Sequence, residues 1–261
     1  VFAADSTGKV KENKVVINEY EYFKELSLKS ESELSDMGCS AKEISEIRNY
    51  HKNYVDHLNR LKKLDDTTLS KLGYTSEQIA IFRNFDGSET QAILLSASLN
   101  LTSTTSNFRY ENTYSKGKLA YLWTWDGLPW YGLQDAVVAS WNDWVVESKY
   151  SAIDYYNTQT GQYYTTRSGT FTTDGNGTEG AGHKFPLKIN DNLHYAKTGY
   201  GYFNIRSDVH AIKDFYYYIA YGHSEIWPTI SFSIGTGGAA ASISFTFGTV
   251  IEDSETGSYI F

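Results

Sequence analysis

Apolar positions change rhythm once along this chain. Up to residue 90 they recur every three or four positions, so that Ile44, Ile47, Tyr54, Leu58 and Leu61 fall on one helical face. Asp86 and Gly87 in "FDGSET" interrupt that pattern, and alternation of apolar with polar residues follows, as in Ile230, Phe232 and Ile234 against Ser231 and Ser233. The alternation predicts strands in "QAILLSASLNLT", "KLAYLWTW", "DAVVASWNDWVVES", "GQYYTTRSGTFTT", "YGYFNIRS", "DFYYYIAYGHS", "PTISFSIG" and "ASISFTFGTV". Short strands separated by Gly and Asn turns suit an antiparallel sandwich. The chain therefore reads as α+β, with a helical unit over residues 5–88 and an antiparallel β-sandwich over 89–261.

The helical unit repeats itself. Leu34 to Tyr50 reads "LSDMGCSAKEISEIRNY", and Leu69 to Phe85, 35 residues on, reads "LSKLGYTSEQIAIFRNF". In each copy a glycine, Gly38 or Gly73, is placed to close one helix in the left-handed conformation. Ser40 with Glu43, and Thr75 with Gln78, then have the spacing of a capping box that opens the next. Two copies are too few for a solenoid, so the repeat predicts a helix–glycine–cap–helix corner used twice in a compact unit. Arg48, Asn49, Arg83 and Asn84 recur in step at helix ends, where a basic side chain also favours the helix dipole. The unit reads as a helical spacer, with a docking, autoinhibitory or propeptide role as the functional alternative.

Charge follows the same division. Residues 1–90 hold 29 of the 54 charged side chains, while all six Trp and 17 of the 22 Tyr lie beyond them. A net charge of −8 argues against nucleic acid as a partner and against simple attraction to anionic lipid. The opening "VFAADS" reads as the remnant of a secretory signal peptide over residues 1–4. Cys39, the single cysteine, excludes an internal disulfide and reads as a small apolar residue where the second copy has Tyr74.

Five Trp fall between Trp123 and Trp144. Trp123 and Trp125 share one strand face and read as core, whereas Trp130, Tyr131, Trp141 and Trp144 are candidates for an aromatic binding platform for protein or glycan. Trp130, beside Pro129, is the ring expected to be most exposed. Asp174, Asn176 and Thr178 lie at alternating positions of a Gly-rich loop with Glu179 next to them, a weak calcium pattern that a hairpin turn explains equally well. No other cofactor is expected. His183, His194, His210 and His223 are scattered along strands without metal-ligand spacing. Ser224 after His223, with Asp214, invites a nucleophile reading, but no G-x-S-x-G elbow surrounds it, and an enzyme is not the favoured class. The charge-free stretch from Thr229 to Ile251 places Ile230, Phe232, Ile234, Ile243, Phe245 and Phe247 on alternating positions of a hairpin able to enter lipid. It suits two sandwich strands as well.

The corner "LGYTSEQIAIFRNFDGSE", together with the W-x-W strand at Trp123 and Trp125 and the segment "YGHS", resembles secreted, largely uncharacterised proteins of Gram-positive bacteria in which a helical segment precedes a Ser/Thr-rich β region. That resemblance implies export from a Gram-positive cell and supplies no activity, substrate or functional residue. The sequence thus points to a secreted, non-catalytic binding protein with an extracellular protein or glycan partner. A membrane-active pore former is the alternative, and an unrecognised hydrolase comes third.

Overall fold

The computed structural model describes residues 11–37, 39–111, 113–132, 134–141, 143–173, 180–207, 214–224 and 256–258. A first strand, β1 (Lys11–Asn18), leads into seven helices: α1 (Glu19–Ser27), α2 (Glu31–Asp36), α3 (Ala41–Arg48), α4 (Tyr50–Leu61), α5 (Asp66–Leu72), α6 (Ser76–Arg83) and α7 (Glu89–Leu95). The remaining described elements are strands: β2 (Ser98–Glu111), β3 (Tyr114–Asp126), β4 (Gln134–Trp141), β5 (Trp144–Asn157), β6 (Tyr163–Arg167), β7 (Thr170–Thr173), β8 (Gly180–Pro186), β9 (Lys188–Ile189), β10 (His194–Ser207), β11 (Asp214–Ser224) and β12 (Thr256–Ser258). They form two antiparallel sheets, one ordered β1-β2-β3-β10-β5-β6 with β9 paired to β10, the other β12-β11-β4-β8-β7. The fold is α+β with a β-sandwich.

The repeated corner shares its hydrogen-bond wiring in both copies, and more extensively than the quoted motif shows. Both capping boxes form, Ser40 with Glu43 and Thr75 with Gln78. The amide of Cys39 donates to the Leu34 carbonyl, and that of Tyr74 to the Leu69 carbonyl. Gly73 takes a φ of +109°, and a Cβ there would stand 3.0 Å from the Gly127 nitrogen, so both backbone conformation and close approach require glycine. Arg48 donates to the carbonyls of Ser27 and Lys29, and Arg83 to those of Lys62 and Leu64, positions that are again 35 apart. Each arginine thus satisfies carbonyls left over at or just beyond the end of the helix that opens its copy. The repeating module is therefore three helices, α1–α3 and α4–α6.

Two expectations change. "QAILLSAS" is largely helix, because Ser88 caps α7 and Ala92 and Leu95 bury at a three-residue spacing; the strand begins only at Ser98. The charged segment "KENKVVIN" is a strand, β1, that pairs along its whole length with β2. Apolar packing runs without a break across residue 88: Tyr54, Leu58, Leu72, Tyr74 and Phe82 from the helical unit share one cluster with Trp123, Trp141, Phe185 and Phe203 from the sheets. Between the sheets, Trp123 stacks on Phe185 at 5.1 Å with an interplanar angle of 6°. The Thr229–Ile251 hairpin, including Ile230, Phe232, Ile234, Ile243, Phe245 and Phe247, lies outside the described residues, as do residues 1–4. Among those described, no helix is long and apolar enough to cross a membrane.

Candidate functional site

One segment of strand β10 is built inside out. That segment, "TGYGYF", turns Gly199 and Gly201 toward the core and Tyr200 and Tyr202 toward solvent. A Cβ on Gly199 would lie 2.4 Å from the Trp123 ring, and one on Gly201 would lie 2.2 Å from the Tyr121 hydroxyl. The glycines are therefore needed to admit two large core rings from β3. The outward tyrosines are not explained by that packing. Tyr200 faces Leu122 across the β3 pairing, and Tyr202 faces Tyr150 across the β5 pairing. Leu122, Tyr150 and Tyr200 are 48%, 41% and 47% exposed, a contiguous group rather than scattered single residues.

Local contacts hold this face in order. Tyr150 stacks on Tyr202 at 5.7 Å, with the Tyr200 ring tilted 6.0 Å from it. The Lys118 ammonium stands 4.2 Å over the Tyr202 ring, a cation–π contact. Asn204 donates to Ser148 at 2.8 Å, and the hydroxyls of Thr124 and Thr198 meet at 3.1 Å. The Tyr150 hydroxyl beside Tyr200 raises that phenol above its ordinary pKa.

The platform expected from sequence is elsewhere and largely covered. Trp141 and Trp144 are core residues at 1% and 0% exposure, and Tyr131 is buried against Phe23. Trp130 is half-buried, its ring packed by Phe23, Tyr54 and Tyr131. Helix α1 explains this: it lays Phe23 on the loop that carries both rings, so what reads as an exposed aromatic loop becomes a seat for the helical unit. Asp174, Asn176 and Glu179 fall outside the described residues. Among those described, no group of three or more His, Cys, Asp or Glu side chains is arranged to hold a metal ion.

The described histidines do not converge. His183 is buried against Tyr121 and Phe185, and burial pushes its pKa down to about 3. His194 stacks on Tyr164 at 3.9 Å. His57 points Nε2 at the Leu128 carbonyl, 2.9 Å away, and burial pushes it down to about 4. His223 takes its carboxylate from Asp135, its cross-strand partner on β4, with Nδ1 2.8 Å from Oδ1. Asp135 also accepts from the Tyr221 hydroxyl, which in turn accepts from Trp125 Nε1 at 3.2 Å. On the other side of the ring, Nε2 stands 3.5 Å from Oε1 of Glu19.

Glu19 is the centre of this buried group. Its Oε2 accepts from the Tyr54 hydroxyl at 2.8 Å and the Trp130 amide at 3.0 Å, and its Oε1 accepts from the Tyr131 amide at 3.0 Å. Burial alone would raise its pKa, but His223 and the two amides hold it below the usual carboxylate value. Burial likewise pushes His223 down, and Asp135 and Glu19 reverse this and carry it up to about 9. The Cys39 thiol is buried and pushed up to about 11 by that burial and by Glu43, which disfavours a reactive thiolate.

No protein-family model and no curated protein matches the chain. Solved structures with partial similarity include the collagen-binding domain from a Staphylococcus aureus adhesin, at 10% identity over 58% of this chain and 95% of that one, with a TM-score of 0.27. A structure concerned with pH-induced modulation of Streptococcus parasanguinis adhesion by Fap1 fimbriae matches at 10% identity over 60% of this chain and 80% of that one, TM-score 0.27. The collagen-binding domain of Erysipelothrix rhusiopathiae surface protein RspB matches at 8% identity over 61% and 66%, TM-score 0.26. Similarities of this size assign neither a family nor a ligand to this chain.

Proposed function

We propose that this chain is a non-catalytic binding protein acting outside the cell, and that the outer face of the larger sheet around Tyr150, Tyr200 and Tyr202 receives an extracellular protein partner. The observation that carries this reading is the Gly199–Tyr202 segment of β10, which leaves large rings in water while its glycines line the core. Tyrosine clusters of this kind are enriched at protein interfaces, where they bury area with little loss of side-chain freedom. The neighbouring aliphatic Leu122 favours a polypeptide over a sugar, since it adds apolar contact without a ring face for stacking. The acid–base groups that do come together, Glu19, His223 and Asp135, are buried at the seam between the helices and the sandwich.

The test is binding of the purified chain to a panel of purified extracellular proteins and, in parallel, to a glycan array. The double variant Tyr150→Ala/Tyr200→Ala should weaken protein binding at least roughly tenfold, as for two central interface rings. Leu28→Ala, an exposed apolar residue at the end of α1, should leave it unchanged. Glycan binding without protein binding, or protein binding indifferent to the double substitution, overturns the reading.

A further inference from the structure

Both ring nitrogens of His223 face carboxylate oxygens: Nδ1 faces Asp135 at 2.8 Å and Nε2 faces Glu19 at 3.5 Å. A neutral imidazole carries one N–H and one lone pair, so in either tautomer one carboxylate would confront a lone pair inside the protein. Only the imidazolium offers a proton to both. The three groups come from different parts of the fold, Glu19 from α1, Asp135 from β4 and His223 from β11. Trp125 lies 5.2 Å from the imidazole, and Gly132, with φ +87°, approaches so closely that a Cβ would stand 2.4 Å from Cε1. The ring therefore has little freedom to turn away from either carboxylate.

We propose that Glu19, His223 and Asp135 form a proton-held latch: with His223 doubly protonated the helical unit is locked onto the sandwich, and loss of that proton loosens α1 and α4 from the sheets. Among the described residues, the other titratable groups around the imidazolium are Tyr22 from α1 and Tyr221 from β11, which line the same small cavity, and Tyr131 from the loop after β3, its ring 6.0 Å away. Around Glu19, α4 contributes Tyr54 and His57, and Lys188 of β9 donates to the Trp130 carbonyl at 2.9 Å. His57 is neutral at physiological pH, so its loss of charge does not compete with that of His223. When the imidazolium loses its proton, two buried carboxylates are left to share a single N–H. The connection through Glu19 to Tyr54 and to the Trp130 and Tyr131 amides transmits that loss to both α1 and α4.

The experiment follows the ring protons of His223 by NMR in the full chain labelled with ¹⁵N-histidine, together with amide exchange corrected for intrinsic rates. A doubly protonated ring at pH 7.5 is expected, titrating with a midpoint near 9. Exchange in α1 and α4 should rise with the same midpoint while β3 and β10 stay protected. Glu19→Gln keeps the acceptor oxygen and removes one charge, and should lower the midpoint by at least about one pH unit, a tenfold weaker hold on the proton. His223→Gln should abolish the alkaline rise in exchange; should that variant fail to fold, Glu19→Gln decides alone. A ring with one proton at pH 7.5, a midpoint unmoved in Glu19→Gln, or exchange that rises equally in helices and strands would overturn the latch.

Discussion

The two helical copies have the same wiring and different destinations. In both, a capping box opens the third helix, an arginine reaches back across the module to two carbonyls, and the corner amide returns to the leucine five residues before it. The second copy, however, contributes Tyr54, Leu58, Leu72, Tyr74 and Phe82 to the main core, while the first gives it Tyr20 and otherwise forms a smaller cluster of Phe23, Leu26, Leu34, Cys39 and Ile47 with Tyr131. One position shows how the copies diverge. Tyr74 reaches the sandwich, its hydroxyl accepting from the Leu128 amide at 3.2 Å and its ring lying against Gly127, whereas the equivalent position holds Cys39, a small buried side chain in the smaller cluster. Local backbone wiring is thus duplicated, and docking depends on a few side chains that are not.

The largest test of that contrast is truncation at the divergent position. Tyr74→Ala should cost about 3–5 kcal/mol, the range for deleting a buried aromatic ring, and Cys39→Ala about 1 kcal/mol. Urea unfolding of both variants measures the difference, and equal losses would remove the distinction drawn between the copies.

Next in size, pH should strain the two copies from opposite sides. His57, in the second copy, is buried with its pKa depressed from 6.5 to about 4, so the unfolded chain gains a proton first and stability falls as pH drops below 6.5. His183, depressed to about 3, adds to the same acid loss. His223, which holds the first copy through Glu19, is raised from 6.5 to about 9, so its contribution is complete below 6.5 and is lost as pH climbs through 9. Each of the three amounts to several kcal/mol at full extent, on the order of 1.4 kcal/mol per pH unit of displacement. Stability measured by urea unfolding from pH 4.5 to 9.5 should peak near pH 6.5. The alkaline fall should disappear in His223→Gln and persist in His57→Gln.

The smallest effect sharpens the likeness. Arg48→Ala and Arg83→Ala should each cost about 1–2 kcal/mol through lost hydrogen bonds to carbonyls. The two values should agree closely, because the added Arg83–Asp66 pair is exposed and contributes little. A loss confined to one arginine would mean that the shared wiring matters in only one copy.

Local features of the molecule are legible in its sequence. Capping boxes are local, set by residues three apart, and Ser40–Glu43 and Thr75–Gln78 formed as their spacing predicts. Alternation placed "KLAYLWTW" in β3 with Trp123 and Trp125 inward. It misled at "QAILLSAS", where a short apolar run fits helix and strand alike and only the Ser88 cap decides. It also overlooked β1, whose charged composition resembles the helices beside it. The reach of each arginine back to the end of an earlier helix could have been suspected from its recurrence, but its acceptors are backbone groups and leave no mark in side-chain identity.

By itself the sequence determined what neighbouring residues decide among themselves: the duplicated corner, the caps, the change from helical to strand periodicity, and hence the α+β class. Tertiary structure alone decided which aromatic rings face water and which charges meet. Trp130, Tyr131, Trp141 and Trp144 are drawn under helices and sheets, while Tyr200 and Tyr202 are turned outward where Gly199 and Gly201 leave the other side of β10 to Trp123 and Tyr121, and Tyr150 of β5 joins them. Glu19, Asp135 and His223 lie far apart along the chain, and they meet only because β4 pairs with β11 and α1 docks across their ends. Strand register and helix docking are set by the summed packing of many residues, so no local pattern could encode either face or latch.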